Sequence, residues 1–253
     1  MKRKLVAALA CRINGTRLYG KPLQNLDKDV TILSQIIAAL RSFQIFDELI
    51  LGISDERANY VFIDIAKDLG LRYVMGDPKD VLSRLIACGR LGGATDIFRI
   101  TTECPFFDYS KLEEAWKSHV RLSNDITVLD HVPEGAGFEI YSQDALEISH
   151  RDGLESDRSE FCSNYARFNQ KLFKIQILKP DPKCQRLDLR LTVDYPEDLI
   201  LCRAVYKTFS NLAPLIPLQK IIEYLDTHPE LKQLVEPFVA TDPVWYGLEQ
   251  RQT

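Results

Sequence analysis

The sequence predicts an α/β fold: a doubly wound, mostly parallel sheet with helices on both faces. Three observations carry that expectation. Short apolar runs that suit buried strands alternate with segments whose apolar residues recur at helical spacing. Successive strands are far enough apart in the chain for a helical crossover, which in a parallel sheet is right-handed. A basic loop bearing glycines follows the first strand, at the sheet end where doubly wound folds bind ligands.

Residues 5–9 read as the first strand, and the loop after it gathers Arg12, Arg17 and Lys21 with Gly15 and Gly20. Glycines let backbone N–H groups approach an anion closely, and the three cations suit a polyphosphate. A solvated basic loop before a helix is the plainer alternative. Residues 31–43 place Ile32, Ile36, Ile37, Leu40 and Phe43 on one helical stripe. A strand at 49–53, a helix at 58–69, a strand at 72–74, a helix at 81–91 and a strand at 96–100 continue the alternation. The second half is less regular. A helix at 112–122 and a strand at 126–129 precede the turn-rich Pro133-Glu-Gly-Ala-Gly137 and a strand at 138–141. Helical patterns follow at 144–149 and 160–168, and strand patterns at 173–178 and 189–193. Pro196, with Glu197 and Asp198 behind it, opens a helix that runs through Tyr206. Residues 218–225 and 231–238 form a helical tail, and 240–253 carry no clear pattern. The expected organisation is one domain over 1–239, with a small β-hairpin or dimerisation insertion near 130–178 and a C-terminal tail.

Composition narrows the function. The chain has 253 residues, 45% hydrophobic and 27% charged, which is ordinary for a globular protein with a sizeable core. A net charge of -4 gives no basic face for nucleic acid, so local positive charge points to a small anionic ligand. Cys11, Cys88, Cys104, Cys162, Cys184 and Cys202 form no C-x-x-C pair, so reduced thiols are expected rather than a zinc site or a disulfide framework. The opening apolar run is too short for a signal peptide and no run is long enough to span a membrane, so a cytoplasmic protein is expected. His119, His131, His150 and His228 are dispersed and suggest no catalytic triad.

Three further constellations lie where a parallel sheet would place a site. Glu103 stands at the end of one strand, in Arg99-Ile-Thr-Thr-Glu-Cys-Pro105. Asp194 closes another before a helix, in Leu191-Thr-Val-Asp-Tyr-Pro-Glu-Asp198. Two carboxylates at neighbouring strand ends can hold Mg²⁺, whose shell is completed by water and phosphate oxygens. Asp194 is equally suited to cap the helix that follows it. Asp80 and Arg84 share one helical face in Gly76-Asp-Pro-Lys-Asp-Val-Leu-Ser-Arg84, a spacing that also fits a surface ion pair.

Taken together these motifs resemble the cytidylyltransferase family that activates 3-deoxy-manno-octulosonate and acylneuraminate, most closely its spore-coat polysaccharide SpsF-like branch. The branch's first loop, A-R-x-x-S-T-R-L-P-G-K-x-L, is matched by Cys11-Arg-Ile-Asn-Gly-Thr-Arg-Leu-Tyr-Gly-Lys-Pro-Leu23. Its D-V-L-x-R, R-I-T-G-D-C-P and L-T-V-D-T-P-E-D-L follow in order at 80–84, 99–105 and 191–199. A G-x-D-V-E-V-F-S segment is echoed by Gly135 to Ser142, with Glu139 retained. The resemblance spans roughly residues 4–206.

The resemblance implies a nucleotide-diphospho-sugar-transferase type of sheet and a Mg²⁺-dependent enzyme that couples CTP to an acidic sugar, giving a CMP-sugar for surface polysaccharide or glycan synthesis. Arg12, Arg17 and Lys21 would meet the phosphates, with Arg12 and Lys21 catalytic. Ala10, Cys11, Gly15, Thr16, Thr102, Asp80 and Arg84 would join them around the nucleotide, with Ser54 and Asp55 at the nucleoside. Glu103 and Asp194 would hold the metal, Glu139 and Glu160 the sugar. Relatives form a homodimer through the region around 133–141, although Phe138, Ile140 and Tyr141 equally suit the core of a hairpin. Four departures fall on these positions. Glu103 replaces the family's Asp and lengthens that arm by one methylene, about 1.5 Å. Tyr19 replaces a proline, Gly137 stands where Asp is common, and Phe161 beside Glu160 takes the place of a His. Another nucleotide, a phosphonate or polyol acceptor, or nucleotide binding without turnover are the alternatives these departures leave open.

Overall fold

A computed structural model describes residues 3–159, 162–240, 244 and 245. The first strand, β1 (Leu5–Cys11), is followed by a short hairpin of β2 (Asn25–Asp27) and β3 (Val30–Thr31) that sequence patterning did not anticipate. Helix α1 (Ile32–Arg41) starts where Thr31 and Ser34 cap each other reciprocally, satisfying two otherwise unpaired N–H groups. Then come β4 (Glu48–Ser54), α2 (Val61–Asp68), β5 (Arg72–Gly76), α3 (Val81–Gly92) and β6 (Asp96–Arg99), each within a few residues of its expected place. Helix α4 (Leu112–Leu122), β7 (Ile126–Leu129), β8 (Phe138–Ser142), α5 (Gln143–Asp152), α6 (Asn164–Phe168) and β9 (Ile175–Leu178) follow. The chain closes with α7 (Pro196–Thr208), α8 (Leu218–Asp226) and α9 (Pro229–Val235).

Among the described residues one seven-stranded sheet runs in the order β5-β4-β1-β6-β8-β7-β9. All its pairings are parallel except those of β8, which lies antiparallel between β6 and β7. The β7–β8 hairpin is thus part of the main sheet. Phe138, Ile140 and Tyr141 are core residues, the reading that sequence left level with a protruding dimer arm. Apolar residues pack against both faces: Leu5, Ala7, Leu9, Leu51 and Phe98 on one, Val6, Ala8, Ile50 and Ile97 on the other. That alternation within single strands is what a sheet covered by helices on both sides requires.

Two sequence expectations are corrected. Residues 189–193 form no strand; their backbone instead pairs at one point with the turn at Glu134, through Glu134 N–H to Leu189 O (3.0 Å) and Leu191 N–H to Glu134 O (2.7 Å). Gly135, at φ +86°, permits that approach, because a Cβ there would come within 2.6 Å of Thr192 N. The helix expected over 160–168 begins only at Asn164, and Glu160 and Phe161 lie outside the described residues. All six cysteines are buried free thiols. No helix among the described residues is long and apolar enough to cross a membrane.

At the end of the sheet away from the loop after β1, Asp96 is fully buried and accepts hydrogen bonds from Arg3 (Nε, 2.8 Å), Thr95 (2.7 Å) and His119 (Nε2, 3.0 Å). The opposite ring nitrogen of His119 meets Thr127 at 2.9 Å, so α4, β6 and β7 share one polar knot. Burial raises the Asp96 carboxyl, but the hydrogen bonds from His119, Arg3 and Thr95 outweigh it and the group lies below its ordinary value. A depressed folded-state value contributes stability above the unfolded carboxyl value, and that contribution is lost as pH falls through the folded value. Asp96→Asn is therefore expected to cost roughly 3 kcal/mol at pH 7. It should also flatten the acid side of the stability curve, measured by urea unfolding between pH 3 and pH 7; an unchanged acid limb would refute this.

Candidate active site

The loop after β1 is closed by its own backbone and anchored from below. Gly20 N–H bonds Ile13 O at 2.8 Å, and Gly20 sits in the left-handed region at φ +63°, ahead of a single 3-10 turn at Lys21–Leu23. Ile13 N–H donates to the buried Asn59 side chain at 2.6 Å, and Asn59 in turn donates to Glu56. Gly15 is obligatory in this arrangement: a Cβ there would stand 2.3 Å from Leu18 O.

Beneath the loop lies Arg84, 2% exposed, on α3. Its Nη1 donates to the carbonyls of Cys11 (3.2 Å) and Gly52 (3.1 Å), joining the ends of β1 and β4. Glycines make its channel, since a Cβ on Gly76 would meet Arg84 Cγ at 2.8 Å. Burial lowers the Arg84 guanidinium from its ordinary value, and the charge of nearby Arg12 adds to that effect. The surface pair that spacing allowed between Asp80 and Arg84 does not form. Asp80 caps α3 through Ser83 N–H (2.7 Å) and meets His150 Nε2 at 2.7 Å.

These elements frame a pocket of about 680 Å³, counting its open mouth. Of the residues proposed from sequence, Ala10, Cys11, Arg12, Gly15, Lys21, Arg84, Thr102 and Glu103 line it. Thr102 also ties its wall to β1 by donating to Ala10 O at 2.9 Å. Thr16 and Arg17 are exposed and do not line the pocket. Ser54 is fully buried and donates to Glu56, whereas Asp55 is exposed after β4. Glu139 stands one residue behind the pocket: it pairs with Arg99, which lines the pocket, and accepts from the Trp245 indole at 2.9 Å.

Asp194 and Glu103 come from distant segments and meet beside the loop. Val193 N–H donates to Glu103 O at 3.0 Å, which brings the two acidic residues next to each other. Asp194 Oδ1 accepts from Lys21 and from Arg17 (3.2 Å), and its Oδ2 from Arg190 at 2.8 Å. Burial alone would raise this carboxyl; the hydrogen bond and charge of Lys21, then Arg17 and Arg190, hold it below its ordinary value. The helix cap is made by Asp198, whose Oδ2 accepts from the N–H groups of Asp194 (2.8 Å) and Tyr195 (2.9 Å). Asp194 is thereby spared the capping role that sequence allowed it. Asn59 and Arg190 were missed by sequence reasoning. Arg190 directly precedes the 191–199 motif, and its three acidic partners come together only in the fold.

The comparisons agree with the fold. No family model matches the chain. The spore coat polysaccharide biosynthesis protein SpsF of Bacillus subtilis is 25% identical over 227 residues, covering 88% of this chain and 94% of that protein. A cytidylyltransferase structure from Leptospira borgpetersenii superposes with a TM-score of 0.80 at 22% identity, covering 92% of this chain and 97% of that one. A CMP:2-keto-3-deoxy-manno-octonic acid synthetase complexed with CTP superposes at 0.63 with 14% identity, covering 81% and 99% of the two chains. The fold is of the nucleotide-diphospho-sugar-transferase type. Sequence and fold similarity together support the cytidylyltransferase family, in its SpsF-like branch, as the one this chain resembles.

Gly15→Ala is expected to leave the sheet intact and open the loop. Nucleotide affinity, read by calorimetry, should fall about tenfold or more, a loss of ~1.4 kcal/mol; unchanged binding would show that the loop does not cradle the ligand.

Proposed function

We propose that this protein is a nucleotidyltransferase that uses CTP to activate an acidic sugar, releasing pyrophosphate. The observation that carries the reading is the convergence of Lys21 and Arg17 on Asp194, next to Glu103, at the rim of a glycine-bearing pocket. In the reaction a sugar hydroxyl attacks the α-phosphorus of CTP and gives up its proton to solvent, the bond to the bridging oxygen breaks, and pyrophosphate leaves with the electron pair. Such a displacement needs positioning and charge neutralisation more than covalent help. The loop's backbone and Lys21 orient the triphosphate, Arg12 and Arg17 add charge where the leaving group develops it, and Thr102 steadies the wall.

The donor set fits Mg²⁺. No cluster of three or more His, Cys, Asp or Glu able to hold a metal occurs among the described residues, so no all-protein cage is built. Glu103 in the pocket wall and Asp194, whose neighbour Val193 hydrogen-bonds the Glu103 backbone, are acidic groups of the kind that an ion keeping waters and phosphate oxygens in its shell would take. Glu103 and Asp194 would hold it, and when bound it would neutralise and bridge phosphate oxygens.

The acceptor side rests on Glu139, Arg99 and the Trp245 indole, with Glu160 a further proposed contact. The homodimer implied by the resemblance is supported by exposed Leu154, Phe168 and Leu172 within the 130–178 stretch. The substitution of Glu for Asp at 103 favours, as a second reading, a nucleotide-binding protein without turnover.

Mixing the protein with CTP, Mg²⁺ and an octulosonic or nonulosonic acid should release pyrophosphate; silence with every nucleotide and acid would reject the transferase. Lys21→Met is expected to reduce the rate about 10²- to 10³-fold, the effect of losing one aligned charge donor. Glu103→Asp should raise the rate of an active enzyme and leave an inactive binder silent.

A further inference from the structure

We propose that Arg190 is a positioning residue that fixes the Asp194 carboxylate with a single oxygen turned toward the pocket, and so sets how tightly a divalent ion joins the bound nucleotide. The inference rests on the transferase reading above.

Arg190 is 4% exposed, and the structure uses every nitrogen of its guanidinium. Nε and Nη2 meet the two oxygens of Asp198 at 2.9 and 3.2 Å. Nη2 also donates to Asp194 Oδ2, while Nη1 pairs with Glu134 and donates to Phe238 O at 3.2 Å. A planar fork of five donors can serve partners in several fixed directions at once; an ammonium on a flexible stem cannot. Around the fork the backbone is equally constrained. Asp198 caps the N–H groups of Asp194 and Tyr195, and the Tyr195 ring stacks on Phe238 with centroids 4.0 Å apart. The carboxylate of Asp194 is therefore held at its backbone and at Oδ2, and only Oδ1 faces Lys21 and Arg17.

Charge balance gives this arrangement its consequence. Glu134, Asp194 and Asp198 are matched by Arg190, Lys21 and Arg17, three anions by three cations. Buried carboxylates with no counter-charge are costly, so Asp194 is balanced before any ligand arrives. A triphosphate in the pocket competes with Asp194 Oδ1 for Lys21 and Arg17. As they turn to the phosphates, Oδ1 loses its counter-charge while Arg190 still holds Oδ2, and a divalent ion beside the phosphates restores the balance. Without Arg190 the carboxylate is free to rotate and give both oxygens to Lys21 and Arg17, which would oppose the ion. Nucleotide should thus recruit the ion, and Arg190 should govern the size of that coupling without touching the nucleotide.

The test compares CTP affinity by calorimetry in Mg²⁺ and in EDTA, and Mn²⁺ binding in the presence of CTP, for the wild-type protein and Arg190→Lys. Wild type is expected to bind CTP more tightly with the ion than without it. In Arg190→Lys, Mn²⁺ affinity in the presence of CTP should fall about 10-fold or more, the range for residues that orient metal ligands, and CTP affinity should fall further in Mg²⁺ than in EDTA. At saturating Mg²⁺ pyrophosphate release should largely recover, a split that a loss of fold would not produce. If Arg190→Lys does not fold, Asp198→Asn keeps Arg190 but loosens its aim, and a smaller loss of Mn²⁺ affinity is expected. Wild-type metal dependence in whichever variant folds overturns the proposal for Arg190 alone. A wild-type protein that binds no nucleotide in either condition overturns the transferase reading and this inference with it.

Discussion

The carboxylate of Asp194 is where the architecture of this protein closes on itself. Lys21 and Arg17 reach it from the loop after β1, Arg190 from the segment behind the sheet, and the neighbouring Val193 hydrogen-bonds Glu103 after β6. Segments more than 170 residues apart in the chain are held together by these contacts. A parallel sheet makes this possible, because all its strands but β8 deliver their carboxyl ends to one rim and the loops there must share the same space. Opposite charges then decide which loop faces which.

Buried charge is handled differently at the two ends of the sheet. At the far end, Asp96, His119 and Arg3 satisfy one another with Thr95 and Thr127, so the knot is closed and structural. Near the pocket, Arg84 gives one nitrogen, Nη1, to two backbone carbonyls, keeps Nε unpartnered and stays buried, while the cations of the loop stand at or near the surface. The first arrangement rigidifies the scaffold; the second leaves positive charge beside the pocket. Glycines mediate the difference. Gly52 and Gly76 open a channel for Arg84, and Gly15 lets the loop turn back on itself.

The wall behind the pocket is built from different material. Glu139 lies on β8, the antiparallel strand, and its two oxygens are engaged by Arg99 and by the Trp245 indole. Arg99 belongs both to this cluster and to the pocket wall, so one guanidinium joins the two. A chain tail that delivers a tryptophan to this place was not readable from residues 240–253, which carry no periodic pattern.

Sequence patterning located the main-sheet strands and the helices of the first half because β1, β4 and β6 are buried on both faces and each helix on one, and burial writes itself into local periodicity. The motifs at 11–23, 80–84 and 99–105 likewise named most of the pocket lining, since backbone approach to an anion demands glycine and charge demands Arg or Lys. Where position depends on a partner far along the chain, the local pattern was silent or misleading. The apolar 189–193 run looked like a strand yet packs beside a glycine turn, and the spacing of Asp80 and Arg84 suggested a pair that the buried Cys11 and Gly52 carbonyls prevent. The sequence by itself determined the fold class and the chemical character of the loop. Tertiary structure alone decided that Asp198 caps the helix, that Asp194 is left to face the cations, and that Arg190 and Asn59 hold the site in place, because hydrogen-bond partners are chosen by three-dimensional proximity that no one-dimensional spacing encodes.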